Sequence, residues 1–282
     1  MMIEVLKPGI YCSVQDAGRF GFRNRGVPVS GAMDRKSAAN ANLLVGNPLN
    51  NALIEFAGPG PVFRFHKGCD IAVCGAEVKV QVNGINRSMN TLISISAADE
   101  VTVDRAGKGV WGYLAVSGGI DTDMVLRSRS FYPGITSQSR LLKGSKVRVG
   151  EAEENRQITV FSGNYDPLSS NRIEAFPGPE FSKLPVKVQH ALFSTNFTIS
   201  PQSNRMAYLL EYGDKLKAEE ILTAPVRPGT VQLTPSGKMV VLMRDAQTTG
   251  GYARVLQLSE NSIDSLAQKA TSTEIIFSRI DY

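Results

Sequence analysis

The amino-acid sequence predicts a mainly β protein made of two related β-barrels, each plugged by a short helix. Three observations predict this fold class. Apolar and polar residues alternate in many short segments, glycine, proline, asparagine and aspartate separate these segments, and only two segments have helical periodicity. With 282 residues, of which 42% are hydrophobic and 20% charged, the chain has the composition of a folded globule rather than of a disordered chain.

The strand pattern is clearest at residues 77–82, where valines alternate with polar residues up to Asn83-Gly84. Because both turn residues tolerate positive φ, they predict a hairpin with a type I′ turn that resumes at Ile85. The other predicted strands are Ile71–Val73, Leu92–Ile95, Val101–Val103, Trp111–Val116, Val147–Val149, Ile158–Phe161, Ile173–Phe176, Phe197–Ile199, Val231–Leu233, Met239–Met243, Arg254–Leu258 and Ile275–Phe277.

The two predicted helices fall one in each half of the chain. Asp34 is the expected N-cap of the first, with Ala38, Ala41 and Val45 on one face and Gly46 as its stop. The second places Ile263, Leu266, Ala267 and Ala270 on one face, with Asn261 or Ser262 as its cap.

A chain of this length corresponds to about two domains of average size. The polar, charged stretch at residues 151–157 is the best candidate boundary because it is poor in apolar residues. We therefore expect a first barrel domain over residues 1–150 and a second over residues 151–282.

The net charge is 31 − 26 = +5 and is unevenly distributed. Residues 1–150 carry 18 Lys/Arg and 11 Asp/Glu, which gives +7. Such a field favours anionic partners, either small carboxylates and phosphates or an acidic protein face. Nucleic acid is disfavoured because the chain has no aromatic-flanked basic motif and no reading helix.

Several function classes lack their sequence motifs. The chain has no phosphate-binding glycine loop of the G-x-x-x-x-G-K-[ST] or G-x-G-x-x-G type. With two histidines and no C-x-x-C, we expect no metal centre, and three cysteines do not form a disulfide framework. Neither a signal peptide nor a run of 18 apolar residues is present, so we expect a cytoplasmic protein without a membrane span.

Two polar clusters are candidates for chemistry. In the first, Asp16 and three arginines, Arg19, Arg23 and Arg25, lie among glycines ahead of Asp34, and forked guanidinium donors suit a carboxylate or phosphate. The alternative is a solvated basic loop in which Asp16 pairs locally with Arg19.

The second cluster runs from Arg244 to Arg254 between two apolar strands, so it is a loop at a barrel rim. It contains Asp245, Gln247 and Tyr252, and the alternative is a plain turn at Gly250-Gly251. Arg205, in Ser203-Asn204-Arg205-Met206, is a weaker candidate for binding an anion. We expect the turns near residues 19 and 254 to form one anion pocket.

These motifs carry a family resemblance. The runs Val14-Gln15-Asp16-x-Gly18-Arg19-x-Gly21, Gly26-Val27-Pro28-x-Ser30-Gly31-Ala32-Met33-Asp34 and Gln247-Thr248-Thr249-Gly250-Gly251-Tyr252-x-Arg254 resemble the family of 5-oxoprolinase C subunits, also called allophanate hydrolase subunit 2-like or biotin-dependent carboxyltransferase. Ser128-Arg129-Ser130 and Ser203-Asn204-Arg205-Met206 match it in the same order, although Ala207 and Leu209 depart from its usual pattern.

The resemblance implies two cyclophilin-like barrels and an enzyme complex. Members act with a B subunit (allophanate hydrolase subunit 1-like) and an A subunit of the LamB/YcsF type, opening 5-oxoproline to glutamate with ATP and Mg²⁺. Two alternatives stay open: a carboxyltransferase component that uses biotin, as in urea carboxylase, and a non-catalytic binding partner that sequesters the B subunit or a kinase inhibitor.

On this interpretation the candidate residues take provisional roles. The catalytic candidates are Asp16 and Asp245, either of which is the expected general base because neither histidine lies in a motif. The candidates for substrate binding are Arg19, Asp34, Arg205, Gln247, Tyr252 and Arg254.

Overall fold

A computed structural model describes residues 1–154, 157–159, 166–213 and 216–281 of the chain. The chain divides into two compact units, one of residues 1–19 and 30–165 and the other of residues 20–29 and 166–282. The expected boundary at residue 150 differs from this division in two respects: the second unit starts later, and it also includes residues 20–29. The boundary was predicted from the charged composition of residues 151–157. Composition does not predict long-range contacts, so it could not assign residues 20–29 to the second unit.

Among the described residues, the first unit contains one helix and eleven strands, and every strand pair is antiparallel. They are β1 Met2–Lys7, β2 Tyr11–Gln15, α1 Arg35–Leu44, β3 Leu53–Ala57, β4 Val62–Phe65, β5 Cys69–Glu77, β6 Val80–Val82, β7 Ile85–Arg87, β8 Ile93–Ile95, β9 Glu100–Val103, β10 Lys108–Val116 and β11 Lys146–Arg148. The strands form one sheet in the order β11-β1-β4-β9-β6-β7 and a second in the order β2-β3-β10-β5-β8.

The two sheets of the first unit enclose one apolar core. Val5 and Phe63 from the first sheet and Ile54 and Leu114 from the second are all fully buried in it. The expected hairpin is confirmed: Val82 pairs with Ile85, and Asn83 and Gly84 have φ of 50° and 80°. Its first strand is shorter than expected because Glu77 ends β5 instead of starting the hairpin.

Helix α1 begins where the sequence predicts. The Asp34 carboxylate caps it by accepting hydrogen bonds from the Ser37 backbone N–H at 3.0 Å and from the Ser37 hydroxyl at 2.6 Å. Ala38 and Ala41 are buried, and Gly46 follows with φ of 69°. An N-cap side chain satisfies an amide that has no partner within the helix, which explains why this local signal suffices.

The second unit contains eight strands, two helices and two 3₁₀ turns in the described residues. These are η1 Arg23–Arg25, β12 Arg172–Pro177, η2 Phe181–Lys183, α2 Val186–Ser194, β13 Phe197–Ile199, β14 Ala207–Glu211, β15 Glu220–Pro225, β16 Thr230–Leu233, β17 Met239–Leu242, β18 Thr249–Leu258, α3 Glu260–Ala267 and β19 Glu274–Arg279. The order β12-β19-β13-β14-β17-β16-β18 closes through a β18–β12 pairing into a seven-stranded barrel, and β15 adds to β18. The mainly β fold class is confirmed.

Some elements differ from the expectation. Helix α2 was not predicted, because Val186 and Val188 alternate with polar residues as in a strand, and α3 is capped by Ser259 rather than by Asn261 or Ser262. Strands β1–β4, β14 and β15 were also missed. The expected strand at Ile158–Phe161 has residues 160 and 161 outside the described residues.

A buried arginine ties α3 to the barrel. Arg244 is 1% exposed and donates hydrogen bonds to Glu260 at 2.8 Å and to Asp264 at 2.6 Å. Burial alone would lower the pKa of Arg244, but the two carboxylates raise it above its ordinary value. The cation and the largely buried Asp264 carboxylate therefore depend on each other.

We predict that Arg244→Met destabilises the protein by about 3–5 kcal/mol, because it removes the cation beside a buried carboxylate. Thermal unfolding followed by circular dichroism should show the transition lowered by roughly 6–12 °C. The matched control is Arg279→Met, since the Arg279–Asp281 pair is solvent-exposed and contributes about 0–1 kcal/mol. Equal transitions in the two variants would contradict the prediction.

Candidate functional site

Arg254 lies on the central strand β18 of the second unit and is held by Glu180. Its Nε donates to Glu180 Oε2 at 2.9 Å, its Nη2 to Oε1 at 2.8 Å, and its backbone N–H to Oε2 at 3.0 Å. The two side chains are 19% and 11% exposed. Hydrogen bonding to Arg254 lowers the pKa of Glu180 below its ordinary value, and hydrogen bonding to Glu180 raises the pKa of Arg254. Arg254 therefore has a fixed orientation and a compensated charge.

A cavity of about 230 Å³, here called the arginine pocket, lies beside this ion pair. It is lined by Arg23, Pro179, Pro225, Val226, Arg227, Thr230, Arg254 and Gln257. Arg254 reaches its wall by donating from Nη1 to the Pro225 carbonyl at 3.0 Å. Arg23 comes from η1 in the segment 20–29, so residues far apart in the sequence form this pocket.

Two of the three guanidinium groups in the arginine pocket are uncompensated. Burial, and then the nearby charge of Arg227, lower the pKa of Arg23 below its ordinary value. Neither the Arg23 nor the Arg227 side chain makes a hydrogen bond or ion pair with a residue in the described part of the chain. Two neighbouring cations without a counter-ion among the described residues favour an anionic ligand.

The other polar side chains that line the arginine pocket are hydrogen-bonded within the protein. The Thr230 hydroxyl donates to Gln257 Oε1 at 2.9 Å and accepts from the Arg227 backbone N–H at 3.1 Å. Gln257 Nε2 in turn donates to the Pro228 carbonyl at 3.0 Å. This network fixes the turn that carries Arg227, and it leaves the guanidinium N–H groups as the donors available to a ligand.

A larger cavity of about 910 Å³ is lined by the other member of the same ion pair. Glu180 lines this cavity, whereas Arg254 lines the arginine pocket. Lys183, Lys217 and Glu219 give the larger cavity charges of both signs. Its volume lies in the range typical of small-molecule sites, so two neighbouring cavities share one ion pair.

Arg205 and Asp245 form a second ion pair in the same unit. Arg205 Nε donates to Asp245 Oδ2 at 2.8 Å and its Nη2 to Oδ1 at 3.0 Å, while the Asp245 backbone N–H donates to the Arg205 carbonyl at 2.9 Å. The side chains are 8% and 13% exposed. Both carboxylate oxygens thus carry guanidinium donors, and the role of Asp245 as a general base stays a prediction.

Gln247 and Tyr252 both precede Arg254 closely along the chain. The buried Gln247 Oε1 has no hydrogen-bond partner in the described part of the chain, and Tyr252 is 40% exposed on β18. Both groups could therefore form hydrogen bonds with a ligand. The expected role of Gln247 and Tyr252 in orienting the substrate stays a prediction.

In the first unit, Asp16 organises the segment Ser128–Ser130. Its Oδ1 accepts from Gly18 N–H at 2.8 Å, from the Ser128 hydroxyl at 2.7 Å and from the Ser130 hydroxyl at 2.6 Å, and its Oδ2 accepts from Arg129 N–H at 2.6 Å. Four bonds fill the usual accepting capacity of a carboxylate. The contacts favour a structural role for Asp16, and its role as a general base stays a prediction.

Arg19 and Asp34 are fully buried in the first unit. Arg19 Nε donates to the Val125 carbonyl at 3.2 Å and its Nη2 to the Ser130 carbonyl at 2.6 Å, while Asp34 caps α1. Arg19 therefore holds the segment 125–130, and the local Asp16–Arg19 pair of the alternative interpretation is replaced by these contacts. Arg19 and Arg254 belong to different units, so a pocket shared by them stays a prediction.

Other kinds of site find no support in the described residues. Burial raises the pKa of Cys12, and it raises the pKa of Cys74 to about 12, so neither thiol is a thiolate at neutral pH. No group of three or more His, Cys, Asp or Glu side chains in the described part of the chain could hold a metal ion. No helix among these residues is long and apolar enough to cross a membrane.

Sequence reasoning missed two residues of this site as binding candidates. Arg227 lies in Pro225-Val226-Arg227-Pro228 and Glu180 in Gly178-Pro179-Glu180, both turns of a kind that presents side chains on a rigid scaffold. Arg23 was among the three arginines of the first cluster that were expected to suit a carboxylate or phosphate, although it was not among the residues expected to bind substrate. The two turns can be predicted from their glycine and proline residues. No local pattern in the sequence predicts that the three arginines line one pocket.

We predict that the Glu180–Arg254 pair stabilises the protein most at neutral pH. The pKa of Glu180 in the folded state lies below its ordinary value of 4.5, so its contribution is complete above that pH and is lost as pH falls through the folded-state pKa. The difference in unfolding temperature between the wild type and Glu180→Gln should shrink between pH 7 and about pH 3. Glu174→Gln, at an exposed position of β12, is the control, and a difference for Glu180→Gln that stays constant over this range would refute the prediction.

Comparison with known proteins agrees with this architecture. A family model described as carboxyltransferase domain, subdomain A and B, matches residues 25–279. The C subunit of 5-oxoprolinase from Escherichia coli (strain K12) is 36% identical over 274 residues, which cover 95% of this chain and 87% of that protein. The corresponding C subunit from Haemophilus influenzae is 28% identical over 286 residues, which cover 99% and 91%.

Among solved structures, the Kluyveromyces lactis urea carboxylase matches with a TM-score of 0.89 and 25% identity over 99% of this chain. This chain spans only 27% of that much longer protein. The match of the family model over most of the chain, together with the E. coli relative, confirms the family expected from the motifs. The chain belongs to the carboxyltransferase domain family, subdomain A and B, which includes relatives named as C subunits of 5-oxoprolinase.

Proposed function

We propose that this chain is the C subunit of a cytoplasmic, ATP-dependent 5-oxoprolinase that opens 5-oxoproline to glutamate. Its partners are a B subunit of the allophanate hydrolase subunit 1-like type and an A subunit of the LamB/YcsF type. The 36% identity to the E. coli protein over 95% of the chain supports the assignment. The carrying observation is the arginine pocket, whose uncompensated Arg23 and Arg227 suit an anionic substrate.

The chemistry explains why such a pocket is useful. A lactam carbonyl is a poor electrophile. In the proposed reaction the lactam oxygen attacks the γ-phosphorus of ATP, the bond from that phosphorus to the β–γ bridging oxygen breaks, and ADP leaves. The ring carbon is then open to water, and two water molecules complete the conversion to glutamate and free phosphate. Fixed cationic donors in a cavity stabilise the negative charge that develops on oxygen.

The residues take roles according to their surroundings. Arg254, oriented by Glu180, and the two uncompensated arginines bind negative charge, while Gln247 and Tyr252 orient the substrate. Arg205 keeps its predicted role in anion binding. Asp16 or Asp245 keeps the predicted role of general base, although both carboxylates already accept hydrogen bonds within the protein. We place ATP and Mg²⁺ in the assembled complex, shared with a partner protein, because the sequence has no phosphate-binding loop and the described residues have no group of metal-ligating side chains.

A biotin-dependent carboxyltransferase is the second candidate. The family description and the match to urea carboxylase favour it. In that reaction a carboxyl group moves from carboxybiotin on a separate carrier protein to an amide nitrogen, and the arginine pocket binds the carboxylate. Biotin is required only for this candidate.

We predict that the purified chain, mixed with its A and B subunits, forms glutamate from 5-oxoproline with ATP. Arg254→Gln and Arg227→Gln should each lower kcat/KM by about 100-fold, the loss expected for charge-assisted contacts to the reacting molecule. Arg172→Gln, at an exposed arginine of β12, is the matched control. Since Arg227 is exposed at the surface, its variant keeps the fold, which circular dichroism verifies. Undiminished turnover in both pocket variants would remove the assigned roles.

A second prediction concerns the base. Asp245→Asn should lower kcat more than it raises KM if Asp245 removes a proton, and the acidic limb of the pH–rate profile should disappear. A merely structural Asp245 would instead lower the unfolding temperature and leave the profile unchanged. Asp16→Asn, measured in the same way, tests the other candidate.

The two proposed reactions are separated by one comparison. One mixture contains 5-oxoproline, ATP and the A and B subunits; the other contains urea, bicarbonate, ATP, a biotin carboxylase and a biotinylated carrier. We expect product only in the first mixture. Product only in the second would establish the carboxyltransferase instead.

A further inference from the structure

We propose that the arginine pocket binds a doubly charged oxyanion of phosphate size, and that in the enzyme this is a phosphoryl group rather than the carboxylate of the lactam. The inference rests on the proposed function only for the source of the phosphoryl group. The preference for a dianion follows from the pocket itself.

The first argument is the charge of the arginine pocket. Arg23, Arg227 and Arg254 bring three positive charges, and the Glu180 carboxylate bound to Arg254 removes one, so the sum is 3 − 1 = +2. A single carboxylate neutralises one of the two uncompensated guanidinium groups and leaves the other facing it. A dianion neutralises both, and its several oxygens accept from both forked donors at once.

The second argument is the shortage of acceptors and the excess of donors. The Thr230 hydroxyl donates to the Gln257 side chain, which donates to the Pro228 carbonyl. The Glu180 carboxylate accepts from Arg254 and is therefore already hydrogen-bonded. No free carboxylate in the described part of the chain lines the pocket to repel a fully ionised phosphate. A protonated, hydrogen-bond-donating ligand would find no good acceptor here.

The third argument is size. The arginine pocket, at about 230 Å³, is smaller than the ~300–1,000 Å³ of cavities that enclose whole small-molecule ligands. It therefore suits one charged group of a ligand rather than a nucleotide or a ring with its substituents. The neighbouring cavity of about 910 Å³, which shares the Glu180–Arg254 pair, has room for an organic body.

The scaffold is rigid enough to discriminate between anions. Arg254 is fixed by three hydrogen bonds to Glu180, and the Arg227 backbone is fixed by the Thr230 hydroxyl. Because Arg254 and the Arg227 backbone are already in place, only the Arg23 and Arg227 side chains have to be ordered for a ligand, and the difference in charge between a dianion and a monoanion appears as a difference in affinity.

The test is isothermal titration of the chain alone with sodium sulfate, sodium phosphate and sodium acetate at pH 8 and one ionic strength, because screening by salt would otherwise mask the comparison. We expect sulfate and phosphate to bind at least about tenfold more tightly than acetate. Arg23→Gln and Arg227→Gln should each weaken sulfate binding by about tenfold or more, and Arg172→Gln should leave it unchanged.

Three results would overturn the inference: acetate binding as tightly as sulfate, sulfate affinity unaffected by both pocket variants, or no sulfate binding to a folded chain. The first would assign the pocket to the lactam carboxylate. Because the titration uses neither ATP nor partner proteins, its failure is distinct from a failure of the reconstituted 5-oxoprolinase, and either proposal survives the loss of the other.

Discussion

Glu180 and Arg254 share three hydrogen bonds, and the geometry of the candidate site depends on this ion pair. The pair connects the turn at Gly178-Pro179-Glu180 to strand β18, which itself pairs with β12, β15 and β16. It holds Arg254 in the wall of one cavity and Glu180 in the wall of another. Because the pair is electrically neutral, the positive charge left in the arginine pocket belongs to Arg23 and Arg227.

The largely buried arginines of this protein meet acceptors that the protein itself supplies. Arg205, Arg244 and Arg254 are largely buried and meet carboxylates within hydrogen-bond distance, which offsets the cost of removing a charge from water. In the first unit, buried Arg19 donates to main-chain carbonyls. Arg23 and Arg227 differ in that they are half-buried and exposed, respectively, and have no carboxylate partner among the described residues, and the charge of Arg227 lowers the pKa of Arg23.

The family motifs therefore contain residues of different kinds. Asp16, Arg19, Ser128 and Ser130 form one buried network in the first unit. Arg254 belongs to both the motif and the pocket, whereas Arg227 was not among the motif residues and lines the pocket all the same. A motif shows which residues are needed, but it does not show whether the fold or the chemistry needs them. Burial and hydrogen-bond partners in the structure make that distinction.

The sequence by itself determined the mainly β class, most strands, the hairpin at Asn83-Gly84 and the start of α1, because alternation, turn residues and caps act over a few neighbouring residues. It missed β2, where Gln15 is a polar residue buried by bonds to Ser13 and Phe131, and α2, whose valines alternate as in a strand. Only the tertiary structure decided that residues 20–29 belong to the second unit and that Arg23, Arg227 and Arg254 line one pocket. The approach of charges some 200 positions apart depends on how the barrel closes. No local pattern of residues encodes that closure, since it is the sum of many weak pairings between distant strands.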